Sequence, residues 1–149
     1  MLDAGLEPVV AVISEEPRFD AALTGLSLTV VENPAPAQGI SRSISLGIGA
    51  LPRASPAALI AVADQPYVTT DALADLIRAF LPGQIVVPRY GAQRGNPAIF
   101  DRRFFPELVA LEGDRGGQVV VNAHPEAVLE VDLAEGMGAD VDRPDDWQG

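Results

Sequence analysis

Residues 57–66 read AALIAVADQP, an uninterrupted apolar run that ends in an acid and a proline. Small apolar residues without alternation are typical of a strand that is buried on both faces. In parallel α/β sheets the ligand-binding groups usually follow the carboxyl ends of such strands, so Asp64 is predicted to lie at a site. Pro66 fixes its own φ and disfavours helical geometry at Gln65, which makes this junction a rigid elbow.

Two interpretations of Asp64 follow from the tripeptide. A carboxylate on a rigid elbow suits a hard cation such as Mg²⁺, which takes oxygen ligands and commonly brings phosphates with it. The alternative is a solvated acid that caps a strand-to-helix turn. The tripeptide alone does not decide between them.

Composition narrows the class of protein. The 149 residues, 48% apolar and 21% charged, are enough for a single domain over 1–149 with a buried core. A net charge of −11 argues against nucleic acid or an anionic membrane as partner. The chain has no cysteine and one histidine, His124, which excludes thiolate metal sites and disfavours histidine-rich ones. Neither a membrane-spanning apolar stretch nor a basic leader is present, so we expect a soluble cytoplasmic protein.

Strand-like and helix-like segments alternate along the chain, which predicts an α/β domain with a mainly parallel sheet. The predicted strands cover 9–13, 28–31, 57–63, 85–87, 98–100 and 129–133, and the predicted helices cover 16–23, 40–51, 69–80 and 105–111. The triplet 119–121 is compatible with either. Alternation of apolar and acidic residues at 129–133 indicates a half-exposed edge strand.

Five polar loops punctuate this pattern in a fixed order. They are Asn33-Pro34 with Gly39 and Ser45-Leu46; Asp64-Gln65-Pro66; Arg94-Gly95-Asn96-Pro97-Ala98-Ile99-Phe100; Gly113-Asp114-Arg115-Gly116; and Asp140-Val141-Asp142-Arg143-Pro144-Asp145-Asp146. In order and spacing they resemble MobA-like nucleotidyltransferases, in particular the molybdenum cofactor cytidylyltransferase branch. The resemblance implies a Rossmann-like three-layer α/β/α fold that transfers a nucleotidyl group, with CTP favoured, to a molybdopterin-like acceptor phosphate and releases pyrophosphate.

The resemblance also implies a catalytic metal site. Asp64 and Asp142 would together hold Mg²⁺ against the triphosphate, with Asp140 as the alternative second ligand. Arg143 stands where the family usually has threonine, which places a cation beside the proposed ligand. Without the resemblance, the acids at 140–146 are interpreted as an acidic helix N-terminus.

The remaining site residues are assigned by the same resemblance. Asn33, Gly39 and Ser45 match positions near the base and ribose, although turn chemistry is the alternative explanation for all three. Arg94 and Asn96 match the acceptor side, where they would hydrogen-bond the acceptor phosphate. A sugar phosphate or lactate phosphate is an alternative acceptor.

The chain departs from the family pattern at its beginning. Family members open with a strand, the loop Leu-x-Ala-Gly-x-Ser-x-Arg-Met-Gly and a lysine, whereas Met1 to Leu6 resembles the end of the family's first helix. All ten basic residues here are arginine. We therefore expect a sheet that lacks its first, central strand, in a domain that is N-terminally truncated relative to the family.

Two accounts of this departure remain open. Either Met1 is an internal or misassigned start of a complete transferase, or the chain is a non-catalytic domain that binds a nucleotide or a partner. Exposed strand edges would then favour a homodimer. The alternative partner is a molybdoenzyme or a chaperone. On both accounts these 149 residues alone are expected to release little or no pyrophosphate.

Overall fold

The computed structural model describes residues 1–14 and 23–139, which form two β-sheets and four α-helices. Most of the helix predicted at 16–23, and all of the acids at 140–146, lie outside the described residues. Within the described part of the chain, no helix combines the length and the apolar character needed to cross a membrane.

The smaller sheet consists of two parallel strands, β1 (Val10–Ser14) and β2 (Thr29–Asn33). Every residue of β1 keeps part of its surface exposed, although its composition is that of a buried strand. Neither strand pairs with the larger sheet in the described residues. This separation agrees with the prediction that the sheet lacks a central strand.

The larger sheet contains β3 (Ala57–Ile60), β4 (Ile85–Tyr90), β5 (Gln93–Arg94), β6 (Ala98–Asp101) and β7 (Val128–Leu133). β4 pairs in parallel with β7, whereas β6 lies antiparallel between β3 and β4. β5 forms a short hairpin with the end of β4. Thus β3, β4 and β7 share one direction and β6 runs against them.

The helices are α1 (Ile40–Ala50), α2 (Thr70–Ala79), α3 (Phe105–Val109) and α4 (Gln118–Ala123). The triplet that the sequence left ambiguous is helical, and Val120 and Val121 are buried. The backbone N–H groups of both residues donate to the carbonyl of Gly117. These local hydrogen bonds stabilise a helical turn, although β-branched residues such as valine favour strands.

Two apolar clusters lie on opposite faces of the larger sheet. On one face, residues of α1, α3 and α4 pack against β4 and β6, together with Phe104 from the 3-10 turn Arg102–Phe104. The helical residues include Ile44, Leu108, Val120 and Val121. On the other face, Leu76 of α2 packs against Val86 and Ile99. This arrangement is the predicted three-layer α/β/α architecture.

Two strand predictions need correction. The apolar run at 57–63 is a strand only from Ala57 to Ile60, because β6 supplies pairing partners for those four residues alone. The prediction of complete burial was also wrong, since Ala58 is the buried member of β3. Pro88 does not end β4, which continues to Tyr90. On one side of β4, β6 pairs only with Ile85 and Val86, and β5 pairs with Arg89 and Tyr90. No ladder hydrogen bond from Pro88 is therefore needed on that side.

Candidate active site

The loops that carry several predicted site residues meet at one edge of the larger sheet. Because β3, β4 and β7 share a direction opposite to that of β6, their carboxyl ends lie beside the amino end of β6. Asp64 follows β3, while Asn96 and Pro97 precede β6. The β4–β5 hairpin and the 3-10 turn Glu135–Gly138 lie at the same edge. The fold therefore brings the elbow and the predicted acceptor loop together.

Asp64 lies in an exposed turn between β3 and α2. The strand fixes the turn on one side. On the other side Thr69 caps α2, and its hydroxyl oxygen accepts a hydrogen bond from the Ala72 N–H at 3.2 Å. The carboxylate is thus open to solvent on a segment whose two ends are anchored.

A cavity of about 290 Å³ opens beside this elbow. Its walls come from the first residue of the chain, the segment between β3 and α2, α2 itself and the loop before β6. The lining residues are Met1, Ala61, Val62, Gln65, Pro66, Val68, Leu73 and Pro97. Binding pockets commonly combine an apolar wall with a few polar groups. The cavity can hold an uncharged part of a ligand close to the carboxylate.

Asn33 has a structural role that explains its burial. Its side chain is 3% exposed, its Oδ1 accepts from the Ala35 N–H at 3.0 Å, and its Nδ2 donates to Ser43 Oγ at 3.1 Å. The side chain thereby joins the end of β2 to α1. Ser45, the residue predicted from the sequence, lies half-buried two positions beyond the serine that makes this contact.

We expect Asn33→Ala to lower the free energy of unfolding by about 1 to 3 kcal/mol, because it leaves the partly buried Ala35 N–H and Ser43 hydroxyl without their hydrogen-bond partner. Urea unfolding of Asn33→Ala measures the effect. Ser45→Ala is the control, because it removes a hydroxyl group from α1, the helix that also carries Ser43. An unchanged unfolding midpoint in Asn33→Ala, together with weaker nucleotide binding, would instead assign Asn33 to the ligand.

Gly39 joins the first and fourth loops of the predicted site. It has φ +87°, and a Cβ there would lie 2.4 Å from the backbone of Gly113 and 2.5 Å from Asp114 Oδ1. The N–H of Ser41 donates to the Gly113 carbonyl at 3.2 Å. Close backbone approach, which glycine alone permits, therefore holds the start of α1 against the 113–116 loop.

Arg94 is engaged by a neighbouring carboxylate. Its Nε and Nη2 each lie 2.6 Å from Glu130 Oε1, and Arg89 Nη2 lies 2.6 Å from Asp132 Oδ1. A hydrogen bond from Arg89 lowers the pKa of Asp132, and the same hydrogen bond raises the pKa of Arg89. Two acids of β7 thus balance the charges of two arginines, and Glu130 is the partner of Arg94.

Tyr90 connects the hairpin to the acceptor loop, a role that the sequence did not indicate. Its hydroxyl donates to the Asn96 carbonyl at 2.7 Å, and burial raises the pKa of the phenol. The Asn96–Pro97 bond that follows is cis. Gly91 and Gly95, which both follow the tyrosine in the sequence, were the available signal, since glycines often mark close approach to a ring or a backbone.

The second predicted metal ligand, Asp142, and its alternative, Asp140, lie outside the described residues. Within 1–14 and 23–139, no three histidine or acidic side chains come together as a metal site. One exposed carboxylate nevertheless fits Mg²⁺, because that ion keeps several waters and is often held by one or two carboxylates together with substrate phosphates.

His124 is a structural residue. Its Nε2 lies 2.9 Å from Glu107 and its Nδ1 lies 3.4 Å from Glu126, while its ring packs 5.0 Å from the Phe104 ring centroid. The hydrogen bond to Glu107 is the main cause of a raised pKa for His124.

This raised pKa predicts a small dependence of stability on pH. Because protonation is favoured in the folded state, the stabilisation is complete below the ordinary pKa of about 6.5 and is lost as the pH rises through the raised value. Urea unfolding across this range should show the loss in the wild type, whereas Glu107→Gln should flatten it. An unchanged slope in that variant would refute the assignment.

Several solved structures share this architecture. Rv0371C from Mycobacterium tuberculosis H37Rv, in a complex with manganese, is 26% identical over 97% of this chain and 80% of its own, with a TM-score of 0.76. A nucleotidyl transferase from Methanothermobacter thermautotrophicus (Mth528) is 17% identical over 97% of this chain and 72% of its own, with a TM-score of 0.84.

A third similar structure is 4-diphosphocytidyl-2C-methyl-D-erythritol synthase from Anaerococcus prevotii DSM 20548. It is 15% identical over 97% of this chain and 79% of its own, with a TM-score of 0.77. The family model described as the MobA-like NTP transferase domain matches residues 1–128. No curated protein sequence matches the chain.

Proposed function

Because the chain belongs to the MobA-like NTP transferase domain family, we propose that it transfers a nucleoside monophosphate from an NTP to a phosphate group on an acceptor. An acceptor phosphate oxygen attacks the α-phosphorus, a new phosphoanhydride bond forms, and the bond from the α-phosphorus to the bridging oxygen breaks to release pyrophosphate. The observation that carries this proposal is the convergence of Asp64 and the Asn96 loop at one sheet edge, beside a cavity.

Mg²⁺ is the metal that we propose for this reaction, held by Asp64 and by Asp142 from the segment beyond the described residues. When bound, such an ion neutralises phosphate charge, including the charge that grows on the leaving pyrophosphate. The anchored turn keeps the Asp64 carboxylate in place, so little ordering of the protein is needed on binding. The manganese complex of Rv0371C supports a divalent-metal site in a protein of similar fold.

CTP is the proposed nucleotide and a molybdopterin-like phosphate the proposed acceptor. Both rest on the resemblance of the five loops to the cytidylyltransferase branch. Arg94 and Asn96 are proposed to contact the acceptor phosphate. To contact Arg94, the phosphate replaces Glu130 as the partner of the guanidinium. The higher negative charge of the phosphate favours this exchange.

Nucleotide binding without turnover is the second candidate function. Catalysis needs positive charge around the triphosphate as well as a metal, and all ten basic residues of the sequence are arginine, so no lysine can bind a phosphate. Arg94 and Arg89 are already neutralised by the acids of β7. This candidate keeps the metal and the nucleotide and predicts that pyrophosphate release is very slow.

Thermal unfolding with CTP, GTP or ATP, each with Mg²⁺ or with EDTA, tests the proposal. We expect CTP with Mg²⁺ to raise the unfolding temperature most, because a ligand that binds the folded state stabilises it. Pyrophosphate release with a phosphorylated pterin then separates the two candidates. Release supports the transferase, and binding without release supports the non-catalytic domain. No shift with any nucleotide would contradict both.

A further inference from the structure

Four charged side chains form an ion cluster on one face of the larger sheet, toward the ends of β4 and β7: Arg89, Arg94, Glu130 and Asp132. The two arginines are directly opposite each other in the antiparallel β4–β5 hairpin, so their side chains share a face. On β7, Asp132 is the register partner of Arg89, and Glu130 lies two positions before it. Because side chains alternate between the two faces of a strand, all members of the ion cluster point to the same side of the sheet.

Glu130 lies between the two arginines of the ion cluster. Its Oε1 lies 2.6 Å from both Nε and Nη2 of Arg94, and its Oε2 lies 3.6 Å from Nε of Arg89. A single carboxylate thus faces two guanidinium groups, one with each oxygen. The side chain of Glu130 is 33% exposed, whereas that of Asp132 is 72% exposed, so Glu130 occupies the inner position.

The position of this carboxylate also suits a phosphate group. A guanidinium binds carboxylates and phosphates in the same bidentate manner, and a phosphate dianion carries the higher charge. The existing contacts are weak competitors, because exposed pairs of arginine with a carboxylate contribute little to stability. The side chain of Arg94 is 36% exposed, so a phosphate from solvent can reach it.

The ion cluster adjoins the acceptor loop. Arg94 lies two residues before Asn96 in the sequence. The hairpin that carries Arg94 lies at the same edge of the larger sheet as the Asp64 elbow. A phosphate held by both arginines therefore lies at the edge where the acceptor is proposed to bind.

We propose that Arg89 and Arg94 together bind a phosphate dianion, and that Glu130 weakens this binding because it competes for the same guanidinium groups. The inference adds Arg89 and Glu130 to the acceptor side. It rests on the proposed function, because it takes the phosphate to be that of the acceptor. Glu130 thereby sets the affinity for the acceptor phosphate.

Binding of inorganic phosphate, followed by phosphorus NMR at a pH where phosphate is dianionic, tests this role without a nucleotide. Glu130→Gln keeps the size of the side chain and removes the competing charge. It is expected to bind phosphate about tenfold more tightly than the wild type, the size of one charge–charge interaction near a protein surface. Arg89→Gln/Glu130→Gln and Arg94→Gln/Glu130→Gln should each lose this gain, because both arginines supply the site.

Asp75→Asn is the matched control. Asp75 forms an exposed ion pair with Arg78 on α2, so its substitution frees one arginine and changes the net charge by the same amount as Glu130→Gln. Its phosphate affinity should remain that of the wild type. An equal gain in Asp75→Asn and Glu130→Gln would show that net charge governs phosphate binding and would overturn the role of Glu130. Far-ultraviolet circular dichroism checks that each variant is folded.

Repetition of the phosphate titration with CTP and Mg²⁺ present identifies which phosphate the arginines take. Unchanged phosphate binding by Glu130→Gln supports the acceptor side. Loss of phosphate binding on addition of CTP would assign the arginines to the triphosphate and overturn the inference.

The outcomes separate this inference from the proposed function. A wild type that binds CTP with Mg²⁺, together with a Glu130→Gln variant that gains no phosphate affinity, overturns the inference alone. A gain in phosphate affinity in a chain that binds no nucleotide contradicts the proposed function and still supports the arginine site.

Discussion

Asp64→Asn is expected to weaken the metal-dependent binding of CTP by about tenfold to a hundredfold and to leave the fold intact. The amide removes the negative charge that a hard cation requires, and losses of this size are common when a metal site is altered. Stability should not change, because the side chain lies in an exposed turn. Isothermal titration of CTP with Mg²⁺, set against titration with EDTA, measures the difference.

Asp71→Asn is the matched control for this variant. Asp71 is also exposed and belongs to the next element, in the first turn of α2, where its charge favours the helix only slightly. Its CTP affinity should stay within about twofold of the wild-type value, because the interaction of Asp71 with the helix dipole is weak and a twofold change corresponds to its size. Equal losses in both variants would mean that overall charge, and not Asp64, governs binding.

Gly39→Ala is expected to lower the free energy of unfolding by about 2 to 6 kcal/mol. A side chain in a glycine-only backbone conformation costs about 1 to 3 kcal/mol. Overpacking of the new methyl against the Gly113 backbone adds about 1 to 3 kcal/mol, since backbone atoms cannot move aside as a flexible side chain can. Against a typical total of about 5 to 15 kcal/mol, the loss is large. Urea unfolding provides the measurement.

Gly83→Ala isolates the contact from the backbone conformation. Gly83 has φ +84°, close to the +87° of Gly39, but no atom lies within 4 Å of a Cβ built on it. This variant should lose only the conformational part, about 1 to 3 kcal/mol. If both variants lose the same stability, the approach of Gly39 to Gly113 is not what joins the two loops.

The periodicity of apolar residues predicted those helices and strands whose structure depends mainly on their own residues. The apolar periodicity of 69–80 gave α2, with Leu73 and Leu76 buried. The alternation at 129–133 predicted an edge strand, and the observed strand Val128–Leu133 pairs only with β4 in the described residues and keeps Glu130 and Asp132 exposed. Both follow directly from the helical and strand periods.

Features that depend on distant partners were not readable from the sequence. The length of β3 depends on how many residues of β6 are available to pair. Glu130, which binds Arg94 across 36 positions of sequence, belongs to a different strand. Asn33 contacts a serine ten residues later in the sequence, and the packing of α1 determines which serine that is. In each case the decisive contact arises from tertiary packing, which periodicity does not encode.

The most direct test of the account is the position of the metal itself. Crystals of the protein grown with Mn²⁺ and CTP, measured at a wavelength where manganese scatters anomalously, locate the ion independently of any assumed site. We expect an anomalous peak about 2 to 2.5 Å from an Asp64 carboxylate oxygen and next to the CTP phosphates. A Mn²⁺–CTP complex bound with no contact to Asp64 would contradict it.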